Sequence, residues 1–186
     1  MEGKGLLLLA LPYLGEHRIL KVLMPEEGLV TLMAKHSASK KGALTTPFVL
    51  AEWIFTKDHR EIHTLKEGTL LEDFAALKQS YDRLSAAGRI AQDLLRTQLP
   101  SKAAHAPFEL ALAMLRKLAT FPKPELLAAS FRLKLLAAEG LLDEHFDPDA
   151  TLQALAFSRS FSELASLSPH PMHIQTIDQL FEERLR

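Results

Sequence analysis

The apolar positions of this chain change period once. Up to about residue 71 they come in short runs: residues 6–11, "HRILKVLMP", "LVTLMAK", "PFVLAEWIF" and "IHTLKEGTLL". The runs contain β-branched and aromatic residues, and Gly15, Gly28 and Gly42 fall between them. Runs of this kind, bounded by turn residues, read as strands. Five short strands without an intervening helix predict a small barrel. From Glu72 the steps become three and four residues, through Phe74, Leu77, Tyr81, Leu84, Gly88, Ala91 and Leu95. That spacing is one face of a helix, and Pro100 ends it. A second helix is expected over about 107–120, with Phe108, Leu112, Leu115 and Ala119 inward. Pro124 suits the first position of a third helix. This helix is apolar almost all round, so it should be the buried one, with Gly140 at its C-terminal cap.

Downstream, Asp147–Pro148 reads as an N-cap and first-position pair before the short helix "TLQALAF". Ser160 and Glu163 have the spacing of a capping box. "SPHP" then breaks the pattern before the last helix. No internal repeat, low-complexity tract or long linker occurs. The expected architecture is α+β: a five-stranded barrel over residues 1–71, then an all-helical region over 72–186.

Composition narrows the chemistry. Of 186 residues, 47% are hydrophobic and 24% charged, enough apolar material for a real core. The net charge of −1 means that affinity for phosphate must come from a local patch. Without cysteine there is no disulfide and no thiolate zinc site, and a reducing cytoplasm is the natural setting. "GLLLLALPYLG" superficially resembles a signal segment. Its apolar run is short, Lys4 alone precedes it as a basic residue, and no clean cleavage site follows. It is too short to span a bilayer and reads as a buried strand.

Histidines are the obvious metal candidates. His59 and His63 stand four apart, but along a strand four residues span about 13 Å, too far to share an ion. His170 and His173 sit at a helix boundary and read as surface residues. "DEHFDPD" lacks the glycine and spacing of a calcium loop. There is no Gly-x-Ser-x-Gly and no phosphate-cradling glycine loop. Nothing points to catalysis, a cofactor or a metal.

The stretch "AKHSASKKGALTTPF" is different. It places Lys35, His36, Lys40 and Lys41 together, with no acidic residue until Glu52. Arg18 and Lys21 lie on the strand before it; Phe48, Trp53 and Phe55 lie after it. Lysines supply sequence-independent phosphate affinity, and aromatic side chains on a small barrel can stack on unpaired bases. A solvated polar loop beside core aromatics is the alternative. If His36 faces DNA, binding should strengthen below about pH 6.5, where an unperturbed histidine gains charge.

Taken in order, these segments resemble the bacterial recombination mediator family RecO over nearly the whole length. Tyr13, Gly15–Glu16, "RILKVLMPEEGLVTLMAK" and "HSASKKGAL" match the family's N-terminal pattern. So do "TPFVLAEWIF", "IHTLKEG" and the helix "ELLAASFRLKLLAAEGLL". The resemblance implies an N-terminal OB-fold DNA-binding barrel and a helical domain for protein interaction. It also implies binding to single- and double-stranded DNA, strand annealing, help in loading RecA, and two protein partners. The partners are RecR and the acidic tail of single-stranded DNA-binding protein (SSB). A nucleoid-associated cytoplasmic protein without enzymatic activity is the expectation. Two departures stand out. The family's usual four-cysteine zinc module is missing after the third helix, and the first strand reads "LLALPY" where basic residues are common. An acidic tail needs an apolar pocket rimmed by cations, for which Arg116, Lys117, Arg132 and Lys134 are candidates. The competing reading is a protein-interaction adaptor with weak DNA binding.

Overall fold

The computed structural model describes residues 1–35, 42–56, 61–142 and 149–185. His36, Lys40, Lys41, His59 and the Asp147–Pro148 pair lie outside the described residues. The five expected strands are β1 (Glu2–Tyr13), β2 (His17–Met24), β3 (Gly28–Ala34), β4 (Val49–Thr56) and β5 (Ile62–Asp73). They close into a barrel in the order β1-β2-β3-β5-β4. Neighbours are antiparallel except for β3 and β5, which pair in parallel through Thr31–Ile62, Leu32–His63 and Met33–Thr64. Five strands in this order make an OB-fold barrel.

Alternate strand positions fill the barrel, with register shifts at Leu7/Leu9, Leu50/Ala51 and Ile54/Phe55. Leu7, Leu20, Val22, Leu32, Ala51 and Trp53 all belong to its buried core. Trp53 is the largest of them, and its Nε1–H donates to the Gly5 carbonyl at 2.9 Å. A Cβ on Gly5 would stand 2.5 Å from Val22 Cγ1 and 3.1 Å from Trp53 Cδ1, so the first strand needs glycine where the indole crosses it. Gly28, at φ +68°, starts β3 in the left-handed region. A Cβ there would meet the carbonyl oxygens of Leu99 and Lys102 at 2.3 Å. That close approach lets Leu29 N–H bond to Leu99 O, and Ser101 N–H to Glu27 O.

The chain divides into two compact units. One comprises Met1–Ala75 with Leu94–Leu112; the other comprises Ala76–Asp93 with Ala113–Arg186. The helices are α1 (Tyr81–Thr97), α2 (His105–Leu118), α3 (Pro124–Ala138), α4 (Ala150–Phe157), α5 (Phe161–Ser166) and α6 (Pro171–Arg184). The helical period expected from Glu72 starts later. β5 runs to Asp73, and a 3₁₀ turn over Ala75–Gln79 precedes α1. The buried face of α1 is also rotated from the expected one. Tyr81 is 85% exposed, while Ala87, Ile90, Asp93 and Leu94 are buried.

α3 is the buried helix, as its apolar pattern predicts, with Pro124 in its first turn. It ends in a Schellman arrangement, in which Gly140 N–H bonds to Ala137 O and Leu141 N–H to Leu136 O. The N-cap of α4 is Asp149, whose carboxylate accepts from Leu152 N–H at 2.8 Å. Ser160 caps α5 as its spacing predicts, although Glu163 turns to the Ser158 hydroxyl instead of completing the box. His170 and His173 do cap α6 reciprocally: His170 N–H donates to His173 Nδ1, and Met172 N–H to His170 Nδ1.

Candidate nucleic-acid interface

The outside of the barrel has two unlike faces. On β2, Leu20 and Val22 enter the core, so Ile19 and Lys21 point outward. Register then builds the first face in rows. One row is Leu9, Lys21, Thr31 and Ile62; the next is Leu11, Ile19, Met33 and Thr64; Tyr13 opposite His17 ends it. None of these carries a carboxylate, and Lys21 Nζ donates to the neutral hydroxyl Thr31 Oγ1 at 2.8 Å. The second face spans β1, β4 and β5. Its exposed side chains include Glu2, Lys4, Glu52, Ile54 and Glu67, aligned through Lys4–Glu52, Glu2–Ile54 and Ile54–Glu67. Three carboxylates stand there among Lys4 and the exposed Lys66, so that face is the less favourable one for phosphate.

The candidate DNA residues divide accordingly. Lys21 sits within the first face, and Lys35 is exposed just beyond the end of β3. Arg18 lies three residues from Lys21 and therefore on the opposite side of β2. It pairs with Pro12 and the buried Ala34, half-buried at the mouth of the barrel. At the start of β5, His63 enters on the same inward alternation as Leu32. Its ring stacks on Phe55 with centroids 5.7 Å apart, and its buried Nδ1 has no hydrogen-bond partner among the described residues.

Trp53 corrects the sequence reading. It is 0% exposed, and both its ring and its N–H are engaged in the core, so it presents no surface on which a base could stack. Phe48 and Phe55 are buried too. The residues that sequence reasoning missed are Leu11 and Tyr13, which are 45% and 42% exposed on the first face. The signal was available: the second half of β1, "LALPY", is apolar on both alternations, and only one alternation can enter the core.

The helical unit engages two of the four partner-site cations in contacts of its own. Arg132 on α3 forms a fork to Asp93 of α1, with Nε–Oδ2 at 3.0 Å and Nη2–Oδ1 at 2.7 Å. Its Nη1 donates to Asp178 of α6, and the guanidinium lies 4.5 Å from the Phe181 ring centroid. Burial works to lower the Arg132 pKa, but the hydrogen bond to Asp93 and the charges of Asp93, Asp178 and Glu182 outweigh it and raise the value. This guanidinium ties three helices together instead of rimming a pocket. Lys134 faces away from it and donates to the carbonyls of Ala156 and Ser158, closing the C-terminal end of α4. Burial lowers its pKa, opposed by Glu163. Lys117 Nζ stands 5.6 Å from the Phe161 ring centroid, and Arg116 is exposed.

The same unit contains an open cleft of about 730 Å³ where the starts of α1, α3 and α6 meet. Pro124, Leu126, Pro171 and Ile174 line it, with Asp82 and Glu125 beside them. Its lysine, Lys123, donates to Leu167 O. Two carboxylates at the lining do not suit an acidic peptide. Among the described residues, no helix is long and apolar enough to cross a membrane.

An OB-fold barrel followed by helices is the class of protein that the fold defines. The family model described as "Recombination protein O N terminal" matches residues 1–74. DNA repair protein RecO of Chlamydia pneumoniae is 35% identical over 133 residues, which are 70% of this chain and 53% of that protein. DNA repair protein RecO of Chlamydia muridarum is 32% identical over 146 residues, 75% of this chain and 60% of the relative. The match to DNA repair protein RecO of Chlamydia trachomatis serovar L2 is 26% identical over 221 residues and covers 97% of this chain and 90% of the other. The chain belongs to the RecO family of DNA repair proteins. It spans little more than half the length of the first two relatives. The four-cysteine zinc module usual in the family does not fit a chain without cysteine.

Proposed function

We propose that this protein is a non-enzymatic mediator of DNA repair and homologous recombination. It binds single- and double-stranded DNA and promotes annealing of complementary strands. With RecR it assists loading of RecA onto single strands coated with SSB, in the cytoplasm at the nucleoid. In this reading the barrel over residues 1–71 carries DNA binding, while the helical region over 72–186 serves protein partners and supports DNA binding.

The observation that carries the reading is the asymmetry of the barrel. A face whose paired rows hold no carboxylate contains Lys21 and leads to Lys35, the first residue of the basic stretch containing His36, Lys40 and Lys41. The opposite face carries Glu2, Glu52 and Glu67. A polyanion therefore has one favourable approach, despite a net charge of −1. Arg18 at the barrel mouth can extend that approach. For the acidic tail of SSB, Arg116 and Lys117 remain the candidate cations of the helical unit.

Gel shifts and strand annealing across a salt series, with and without the acidic tail peptide, test this reading. Affinity should fall steeply with salt as phosphate contacts release counterions. Replacing Lys35, Lys40 and Lys41 together with Glu should abolish binding, and unchanged affinity would remove that loop from the interface. The acidic second face and near-neutral net charge favour a second reading, an interaction adaptor. It requires firm peptide binding and DNA binding already lost at moderate salt.

A further inference from the structure

β1 outruns its neighbours. It pairs with β4 only from Glu2 to Leu7, but with β2 from Leu6 to Tyr13. The rungs beyond Leu7 therefore form a hairpin whose last rung, Tyr13–His17, also lies past the β2–β3 ladder, which begins at Arg18. Gly15, at φ +67°, turns it through a three-residue loop. Ala10 packs against the core, so Leu9, Leu11 and Tyr13 face outward. Leu14 at the tip is 74% exposed. A contiguous exposed apolar band of this kind marks a binding surface.

Charge identifies the occupant. The band contains Lys21 and runs toward Lys35, and its paired rows hold no carboxylate, Glu16 and Glu61 standing only at its ends, while the far side of the same barrel carries Glu2, Glu52 and Glu67 within its rows. We propose that this band receives unpaired nucleobases, with Tyr13 as the stacking residue and Leu11, Ile19 and Met33 as its apolar floor. The barrel thereby selects single strands over duplex. Bases in a duplex are already stacked on one another, so a duplex offers the band phosphates and groove edges but no open ring faces. Cations gain from either form; an aromatic platform gains only from free base faces. The proposal rests on the nucleic-acid reading above and adds a discrimination that phosphate contacts alone do not provide.

The test is fluorescence anisotropy at fixed salt with the full chain and three labelled probes of equal length: oligo-dT, an abasic strand and a blunt duplex. The unmodified protein should bind oligo-dT about tenfold tighter than the abasic strand. Tyr13→Ala should lose about tenfold on oligo-dT and little on the other two, with an unchanged thermal midpoint because the side chain is at the surface. Tyr13→Phe should restore binding. Equal affinity of the unmodified protein for oligo-dT and the abasic strand would overturn the proposal while leaving DNA binding intact. So would a Tyr13→Ala loss shared equally by all three probes. No binding to any probe would overturn the nucleic-acid reading itself, and the proposal with it.

Discussion

Arg132 and Lys21 are both cations on elements that bury most of their length, and they do opposite things. Arg132 lies in the helical unit, where two carboxylates and an aromatic ring enclose it. Lys21 lies on the barrel, where its partner is a neutral hydroxyl and the paired rows of its face hold no acid. A cation forked onto a buried carboxylate is part of the scaffold. A cation beside hydroxyls on acid-free rows keeps its field for a ligand. Sequence position alone does not separate the two, because Arg132 finds Asp93 39 positions away.

The sharpest way to break this comparison is Arg132→Ala. It removes the guanidinium fork from the Asp93 side chain, which is 2% exposed. Removing one partner of such a pair should cost about 3–5 kcal/mol. Urea unfolding measures it, and a loss within the surface-substitution range would mean that Arg132 is no more structural than Lys21. Next comes Trp53→Phe. It removes the bond to Gly5 O and part of the core volume, and should cost about 1–3 kcal/mol. The folded variant should bind DNA as the unmodified protein does. Reduced affinity at unchanged stability would return Trp53 to the interface.

The smallest effect concerns Asp149. The hydrogen bond from Leu152 N–H, joined by His173, holds its carboxyl below the ordinary value against the opposing effect of desolvation. A depressed pKa contributes stability above the unfolded value of about 4, and that contribution disappears as pH falls through the folded value. Thermal midpoints of Asp149→Asn and the unmodified protein should therefore differ above that range and converge below it. A constant difference across the acid range would show that the carboxylate's charge is not what matters at the cap.

Much of the fold was legible because it depends on local rules. The five strands follow from alternation and turn glycines, and α3 from an apolar run between Pro124 and Gly140. The start of α1 was misread because Phe74 and Leu77 are buried at helical spacing without lying in an α-helix. Its inward face was misread because it includes Asp93, a carboxylate that no hydrophobic pattern would place inside. The candidate site was less legible for a related reason. Aromatic residues invite a stacking role, yet the sequence does not say which side of the barrel wall each one occupies. Register does, and it sends Trp53 inward and Tyr13 outward.

The barrel closes on the parallel seam between β3 and β5, which among the described residues is three pairs long. The antiparallel ladders on either side are longer: seven pairs join β2 to β3 and eight join β4 to β5. Among the described residues the seam therefore holds the cylinder together with the fewest backbone pairs. Opening it would uncover the edges of β3 and β5, the two strands that bring Met33 and Ile62 to the outer band. Anything bound across that band would act as a clasp on the seam, so that occupancy and barrel closure reinforce each other.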